Sequence, residues 1–332
     1  MNRFSKLAGL LVIALSFGII VVPLIFSFSW RGHTIHARMA EKGGWTPQII
    51  EARAGVPITL HLTSDDVVHG FAVGQMDMQP VDIEPGKLTD VTLTFDKPGT
   101  YTFYCTRWCG LNHWRMRGTI EVTGSEPGPA LTPARPLYVS LGIDPDAPHP
   151  AASTPQTRPS AVRGAEAAAA ISQELVPFLE RYYYQTHSPT EVFAELKSTS
   201  LTEAQRWDVV AHIWASNTST RDVEEGRRIF AQNCAACHGE RGGGDGVFAD
   251  DLERAGASVM SSMNGAQGMS MQAPANLADA GRILGASPAL LQGKILRGGM
   301  GTGMPMWGSI FTDEQTWNIV AYLYSLQFNY KP

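Results

Sequence analysis

The sequence predicts a multidomain chain: one N-terminal transmembrane helix, a β domain of sandwich or Greek-key type, and an all-α domain at the C-terminus. Three observations predict it. A charge-free apolar run covers Leu7–Phe28, short alternating strands fill Trp45–Val122, and helical patterns with a second cysteine motif follow a proline-rich stretch. At 332 residues the chain is long for one domain and suits two plus an anchor. The expected boundaries are an anchor over 1–30, a β domain over 31–123, a linker over 124–164, a helical segment over 165–216 and a C-terminal domain over 217–332.

A net charge of −5 and a pI near 6.0 give no sign of nucleic-acid binding. All four cysteines fall in two motifs, which leaves none for a disulfide framework and points to cofactor chemistry. In the apolar run, about 22 residues rising about 1.5 Å each reach roughly 33 Å, enough to cross a bilayer core. Arg3 and Lys6 precede it and Trp30-Arg31 closes it, so the N-terminus is expected inside and the rest outside. A cleaved signal peptide is the alternative, but the shorter apolar core and small-x-small site it needs are not clear here. His33 and His36 read as solvated interfacial residues.

In the β region Ile58, Leu60 and Leu62 alternate with Thr59, His61 and Thr63, which puts His61 on the polar face. Val91, Leu93 and Phe95 repeat the period, as do Tyr101, Phe103 and Cys105, and Pro85-Gly86 and Pro98-Gly99 mark turns. Cys105 therefore leaves a strand on its buried side. It opens a loop, Cys105-Thr-Arg-Trp-Cys109-Gly-Leu-Asn-His113-Trp-Arg-Met116, holding two thiols, an imidazole and a thioether. Soft donors of this kind suit copper better than calcium, magnesium or manganese. One Cys, one His and a weak Met, with a second His from upstream, make a mononuclear blue-copper site. The second thiolate changes that, because two thiolates this close can bridge two copper ions. His69, in Val67-Val68-His69-Gly70-Phe71, supplies the upstream imidazole. A Cys105–Cys109 disulfide or a structural Cys2His2 zinc are the alternatives. Zinc explains neither Met116 nor Gly110, and a disulfide leaves both histidines without a purpose. Met76 and Met78 read as packing or loop residues.

This set resembles the binuclear CuA centre of subunit II of haem–copper oxidases, over roughly residues 45–123. The resemblance implies a cupredoxin fold, with His69, Cys105, Cys109, His113 and Met116 as copper ligands and the backbone carbonyl of Arg107 as a sixth. The family usually has Glu or Gln at that position; Arg107 leaves a carbonyl ligand in place but in more positive surroundings. Trp108 and Trp114 flank the ligands, either on the electron route or as packing.

Residues 124–164 hold nine of the 21 prolines and read as a semi-extended linker that need not dock the two metal domains rigidly. Ala165–Tyr184 reads as a helix interrupted near Pro177. Leu201–Trp214 parallels Phe311–Tyr324, each opening with a Thr N-cap and acidic residues before an apolar stripe. Either 166–216 is a cytochrome remnant that lost its haem, or two amphipathic helices are alike by chance.

In Cys234-Ala-Ala-Cys237-His238 the two thiols can add to the haem vinyl groups and place the His as proximal ligand. With Gly226-Arg-Arg-Ile-Phe230 upstream, the Gly242–Gly246 turn after it, and Gly303-Met304-Pro305-Met306-Trp307 before the last helix, the arrangement resembles a class I cytochrome c over roughly residues 222–328. The resemblance implies Met304 as distal ligand, with Met300 and Met306 as rivals, and a high-potential Met/His haem. It also implies that Gly226 and Phe230 pack against Trp317 and Tyr322. Met260, Met263, Met269 and Met271 read as an insertion loop, with a copper-handling cluster as the alternative.

Taken whole, the chain resembles subunit II of the B-type haem–copper oxidases with a fused cytochrome c. That resemblance implies binuclear copper, one covalent haem c, and a non-catalytic electron-transfer subunit in the bacterial inner membrane, its metal domains periplasmic. Electrons would pass from a soluble cytochrome or other external donor through haem c and CuA to a separate subunit I that reduces O2 to water. A CuA-containing membrane nitric oxide reductase subunit and a free-standing membrane-anchored shuttle are the alternatives.

Overall fold

The computed structural model describes residues 33–76, 78–110, 113–124, 135–254, 273–299 and 303–330. The expected anchor, the Met260–Met271 stretch and Met300 lie outside the described residues. Among the described residues no helix is long and apolar enough to cross a membrane.

The N-terminal unit is a cupredoxin-like β-sandwich. One sheet has the order β2-β1-β4-β7, formed by β1 (His33–Ala37), β2 (Trp45–Thr46), β4 (Ile58–Ser64) and β7 (Thr89–Leu93). The other runs β3 (Ile49–Arg53), β9 (Arg117–Thr123), β8 (Gly99–Tyr104), β5 (His69–Val73) and β6 (Val81–Ile83). Inward positions alternate as a half-buried strand requires: Ile35, Leu60, Leu62, Phe71, Phe103 and Ile120 are fully buried. Trp45 closes one end of this core, edge-on to Phe71 at 6.0 Å and to Phe103 at 5.4 Å. His61 points outward, as its place in the alternation predicts, and its Nδ1 lies 2.6 Å from Asp90. The fold begins earlier than the alternation shows, since β1 pairs in parallel with β4 and His36 meets Asp65 at 2.8 Å.

The helical unit contains α1 (Leu137–Ser140), α2 (Ala161–Ala168), α3 (Pro189–Glu195), α4 (Glu203–Ser216), α5 (Thr220–Asn233), α6 (Ala235–His238), α7 (Pro288–Arg297) and α8 (Asp313–Ser325). The helix expected over 165–184 starts earlier, as α2, turns 3-10 at Ala169–Ile171 and does so again at Val176–Leu179, where Pro177 lacks the amide a longer helix would use. Residues 135–160 of the proline-rich stretch lie against the helices. Arg297 pairs with Asp146 at 2.6 Å, Ala151 N donates to Gly281 O at 2.9 Å, and Arg158 donates to Ser325 O at 2.6 Å. Most of these contacts use the backbone, which prolines and small residues leave accessible.

The two parallel sequence segments pack alike. Both α4 and α8 open on capping boxes, Thr202 with Gln205 and Thr312 with Gln315. α8 crosses α5 at Gly226, where a Cβ would stand 1.9 Å from Asn318 O and 2.9 Å from Tyr322 Cβ. α4 crosses α2 at Gly164, where a Cβ would stand 1.9 Å from Asp208 O and 2.9 Å from His212 Cβ. In register with these glycines, Ser172, Leu175 and Val176 occupy the places of Cys234, Cys237 and His238. Phe230 meets Tyr322 at 5.1 Å as expected, whereas Trp317 turns to Asp313 and lies under Arg181. Trp214 touches Tyr324 at 5.6 Å and Phe328 at 6.1 Å, so both crossings share one core and the expected boundary at 216 divides no core.

Candidate metal centres

The first centre lies where β5 and the loop after β8 converge. Gly70 follows His69 because the loop presses on it: a Cβ there would stand 2.0 Å from Thr106 Oγ1. Its amide also points at Cys105 Sγ, 3.5 Å away. Cys105 and Cys109 are buried free thiols with sulfurs 3.9 Å apart, far beyond the roughly 2.05 Å of a disulfide. Each sulfur has an imidazole beside it, His69 Nδ1 at 3.8 Å from Cys105 and His113 Nδ1 at 3.7 Å from Cys109. Each also has one weak donor, Arg107 O at 3.2 Å from Cys105 and Met116 Sδ at 3.2 Å from Cys109. Donor atoms of His69, Cys105 and Cys109 lie within 4.8 Å of one another, a set of soft ligands able to hold metal.

Electrostatics prepares these donors. The hydrogen bond from Cys109, helped by both imidazoles, holds the Cys105 thiol far below its ordinary value, at about 2. The same hydrogen bond, with burial, pushes Cys109 up, so the two thiols differ in acidity although they are four residues apart. His69 is fully buried, and its Nε2 lies 2.7 Å from Asp66 Oδ1. Burial works against the Asp66 charge, yet hydrogen bonds from Met39 N, His69 and Val67 N hold it below the ordinary carboxyl value. A carboxylate only accepts, so Nε2 carries a proton, and Nδ1 is the ring nitrogen that faces the sulfurs. Arg107 turns away from the centre into a two-pronged pair with Asp82, 2.8 Å on each side. The positive surroundings expected from its sequence are thereby offset.

The second centre sits at the end of α5. Gly226 lets α5 run close to α8, and the helix delivers Cys234 directly into the motif. Both thiols are free and half-buried, and burial pushes Cys234 up to about 12 and Cys237 up to about 11. Burial lowers the His238 pKa, keeping the ring neutral, and its Nδ1 lies 3.0 Å from Ala275 O. A carbonyl can only accept, so Nδ1 carries the proton and Nε2 is available to a metal. The glycine turn folds back on the motif: Gly246 N donates to Cys237 O at 3.1 Å, and Gly246 itself has no room for a Cβ, 2.4 Å from Ala236 O. Met304 is half-buried against the helical core, while Met306 is 61% exposed. Met304 is the more enclosed of the two.

Residues 46–123 match the family described as cytochrome C oxidase subunit II, periplasmic domain, and residues 223–327 match cytochrome c. The chain joins a cytochrome c oxidase subunit II periplasmic domain to a cytochrome c domain. Two curated relatives, both cytochrome c oxidase subunit 2 of Thermus thermophilus, are 42% identical over 79 residues, 24% of this chain. Those residues cover 58% of one relative and 46% of the other, so the chain spans about half the length of the curated relatives it matches. Among solved structures, a haem-copper terminal oxidase dimer aligns at 23% identity over 36% of this chain and 99% of that chain, with a TM-score of 0.24. The periplasmic domain of subunit II from Bradyrhizobium japonicum aligns at 20% identity over 28% of this chain and 85% of that one, with a TM-score of 0.22.

The subunit II domain implies copper and the cytochrome c domain implies haem, and together they imply electron transfer. Sequence reasoning missed several residues around the two centres. Asp66 stands three residues before His69, a spacing at which a carboxylate can reach an imidazole, so its signal was present. Phe248, whose amide donates to Ala236 O at 3.0 Å, and Arg117, which donates to Met306 O at 2.7 Å, carry no local pattern. Trp114 is half-buried beside Trp108, with ring centroids 6.3 Å apart.

Proposed function

We propose that this chain is the electron-input subunit of a membrane haem–copper terminal oxidase, carrying electrons from an external donor toward a separate subunit I that reduces O2 to water. One observation carries the reading. A single cavity is lined by Cys105, His113 and Met116 from the copper loop and by Cys237 from the haem motif, so the two donor sets address each other. His69, Cys105, Cys109, His113 and Met116, with the carbonyl of Arg107, would hold a binuclear CuA pair. The two imidazoles, the two sulfurs and the two weak donors would supply soft ligands suited to copper. Cys234 and Cys237 would hold haem c by thioethers, with His238 and Met304 on the iron. When bound, each group takes up and gives back one electron at a time.

The protein's own part is to hold these donors still. Asp66 fixes the His69 tautomer, Ala275 fixes that of His238, and the sandwich core keeps the copper loop from reorganising as charge changes. Leu7–Phe28 would anchor the chain in a bacterial inner membrane, with the metal domains on the periplasmic side. The matched crossings at Gly164 and Gly226 support reading 166–216, with α2 leading into it, as a cytochrome half that lost its haem, which leaves one haem per chain.

Tagging the chain at Pro332, purifying the intact membrane complex and following O2 and NO consumption with a reduced donor tests the proposal. Fast O2 uptake is expected. Preferential NO consumption would make this a nitric oxide reductase subunit instead, and a tagged chain that purifies alone would favour a free-standing shuttle.

A further inference from the structure

The two metal domains meet through side chains that neither donor set uses. Trp108, lying between Cys105 and Cys109, stacks on Phe248 with ring centroids 3.5 Å apart and planes 16° from parallel. Phe248 is tied to the haem-attachment turn by its bond to Ala236 O. On the other side the Trp108 ring is 5.5 Å from that of His113, and its own peptide leads into Cys109. A continuous packed path therefore runs from the CxxCH turn to the copper loop.

A second group of contacts fixes the docking and leaves the ligands alone. Gln75 N donates to Ile310 O at 2.8 Å, and Arg117 donates to Met306 O with its guanidinium 5.9 Å from the Trp307 ring. Gly74 lies flat on the same segment, where a Cβ would stand 2.7 Å from Ile310 Cα and 2.8 Å from Ser309 O. Those are backbone atoms, which cannot rotate aside as a side chain can.

Resting on the function proposed above, we infer that the Trp108–Phe248 stack is the electronic bridge between the haem-attachment turn and the copper loop, and that the Gly74–Ile310 contact is the latch holding the domains in this arrangement. One electron crosses per event, from ferrous iron to the oxidised copper pair; no bond forms or breaks and no proton has to move. Electronic coupling falls steeply across a gap, so stacked rings serve better than solvent. The transfer rate then scales with the fraction of molecules docked. Because the chain's own cytochrome covers Trp108, a separate donor does not use that face.

The test uses the full chain loaded with copper and haem, as wild type, Phe248→Leu, Phe248→Tyr and Gly74→Val. Three readouts are taken on each: absorption spectra, the radius of gyration from small-angle X-ray scattering, and the rate at which photoreduced haem passes its electron to copper. Phe248→Leu keeps apolar packing but not the ring, and is expected to keep spectra and radius while losing several-fold in rate, with Phe248→Tyr restoring it. Gly74→Val is expected to enlarge the radius, the rate falling about tenfold if one molecule in ten stays docked. A wild-type rate in Phe248→Leu would overturn the bridge, and a wild-type radius in Gly74→Val would overturn the latch. Failure of the underlying function looks different: a wild-type chain that takes up no copper or no haem would sink that proposal before any variant is compared.

Discussion

Adding one methyl group at each of the two helix crossings probes the duplicated architecture directly. At Gly226 the new Cβ would stand 1.9 Å from Asn318 O, and at Gly164 the same distance from Asp208 O. A carbon meets a carbonyl oxygen comfortably at about 3.3 Å, so each helix pair must part by roughly 1.4 Å. Both obstacles are helix backbone, so no rotamer change relieves them. Overpacking of this kind costs about 1–3 kcal/mol or more, while replacing Gly by Ala within a helix returns about 1 kcal/mol of propensity. The net expectation is a loss of about 2 kcal/mol for Gly226→Ala and the same for Gly164→Ala. For a unit of this size that lowers Tm by roughly 4–8 °C. The two should differ in function, because α5 runs straight into Cys234 whereas α2 leads to Ser172. Thermal unfolding by circular dichroism, with haem content read from the pyridine haemochrome spectrum, gives both answers. The reasoning fails if either variant is as stable as wild type, or if Gly164→Ala loses haem as readily as Gly226→Ala.

Other expectations follow from single contacts. Asp66→Asn removes the carboxylate that fixes His69, and copper affinity should fall about 10–100-fold in a chelator competition; an unchanged affinity would show that His69 needs no such support. Met304→Ala should open the haem to CO, seen as a shifted Soret band, and CO-insensitivity would place the distal ligand elsewhere. Arg297 holds the Asp146 carboxyl below its ordinary 3.8 by a hydrogen bond. A depressed carboxyl pKa contributes stability that is present above the unfolded value and lost as pH falls through the folded one. Both groups are partly exposed, so the pair contributes under about 1 kcal/mol. Proteolysis of the 135–160 segment should therefore quicken below pH 3.8, and Asp146→Asn should show that faster cleavage already at pH 7. Equal cleavage of variant and wild type at pH 7 would remove the pair from the account.

What was legible in the sequence was chemistry concentrated in short segments. Cys105 to Met116 spans one loop, so its donors had to be neighbours, and the alternation ending in Tyr101, Phe103 and Cys105 already pointed the first thiol inward. CxxCH and the repeat of Leu201–Trp214 in Phe311–Tyr324 were legible for the same reason. Hidden were features set by distant backbone. β1 contributes just two inward positions, Ile35 and Ala37, and its partner β4 is parallel and far along the chain. Gly164 sits in an alanine-rich run with nothing to distinguish it until α4 lies across it. Packing of 135–160 rests largely on amides and carbonyls, as where Asn329 N donates to Pro159 O at 2.8 Å, and composition does not encode those. Phe248 has no periodic context at all, and its meaning appears once Trp108 is seen against it.

Arg107 shows how a departure from a family pattern can be absorbed. In the proposed copper site the position contributes only its carbonyl, which any residue supplies, so its side chain is free to do something else. Here the guanidinium reaches Asp82 on β6, and β6 pairs with β5 in the register His69↔Ile83. One ion pair thereby ties the loop that carries Cys105 to the strand pair that carries His69. Both partners are about half exposed, at 59% and 47%, and an exposed pair of this kind adds under about 1 kcal/mol. Its effect is therefore geometric: it holds the Arg107 carbonyl 3.2 Å from the sulfur. It also sets a carboxylate against the cation, so the loop keeps close to the charge balance it would have with a neutral residue there. A substitution that reads as a change of charge in the sequence is, in the fold, a change in how the loop is fastened.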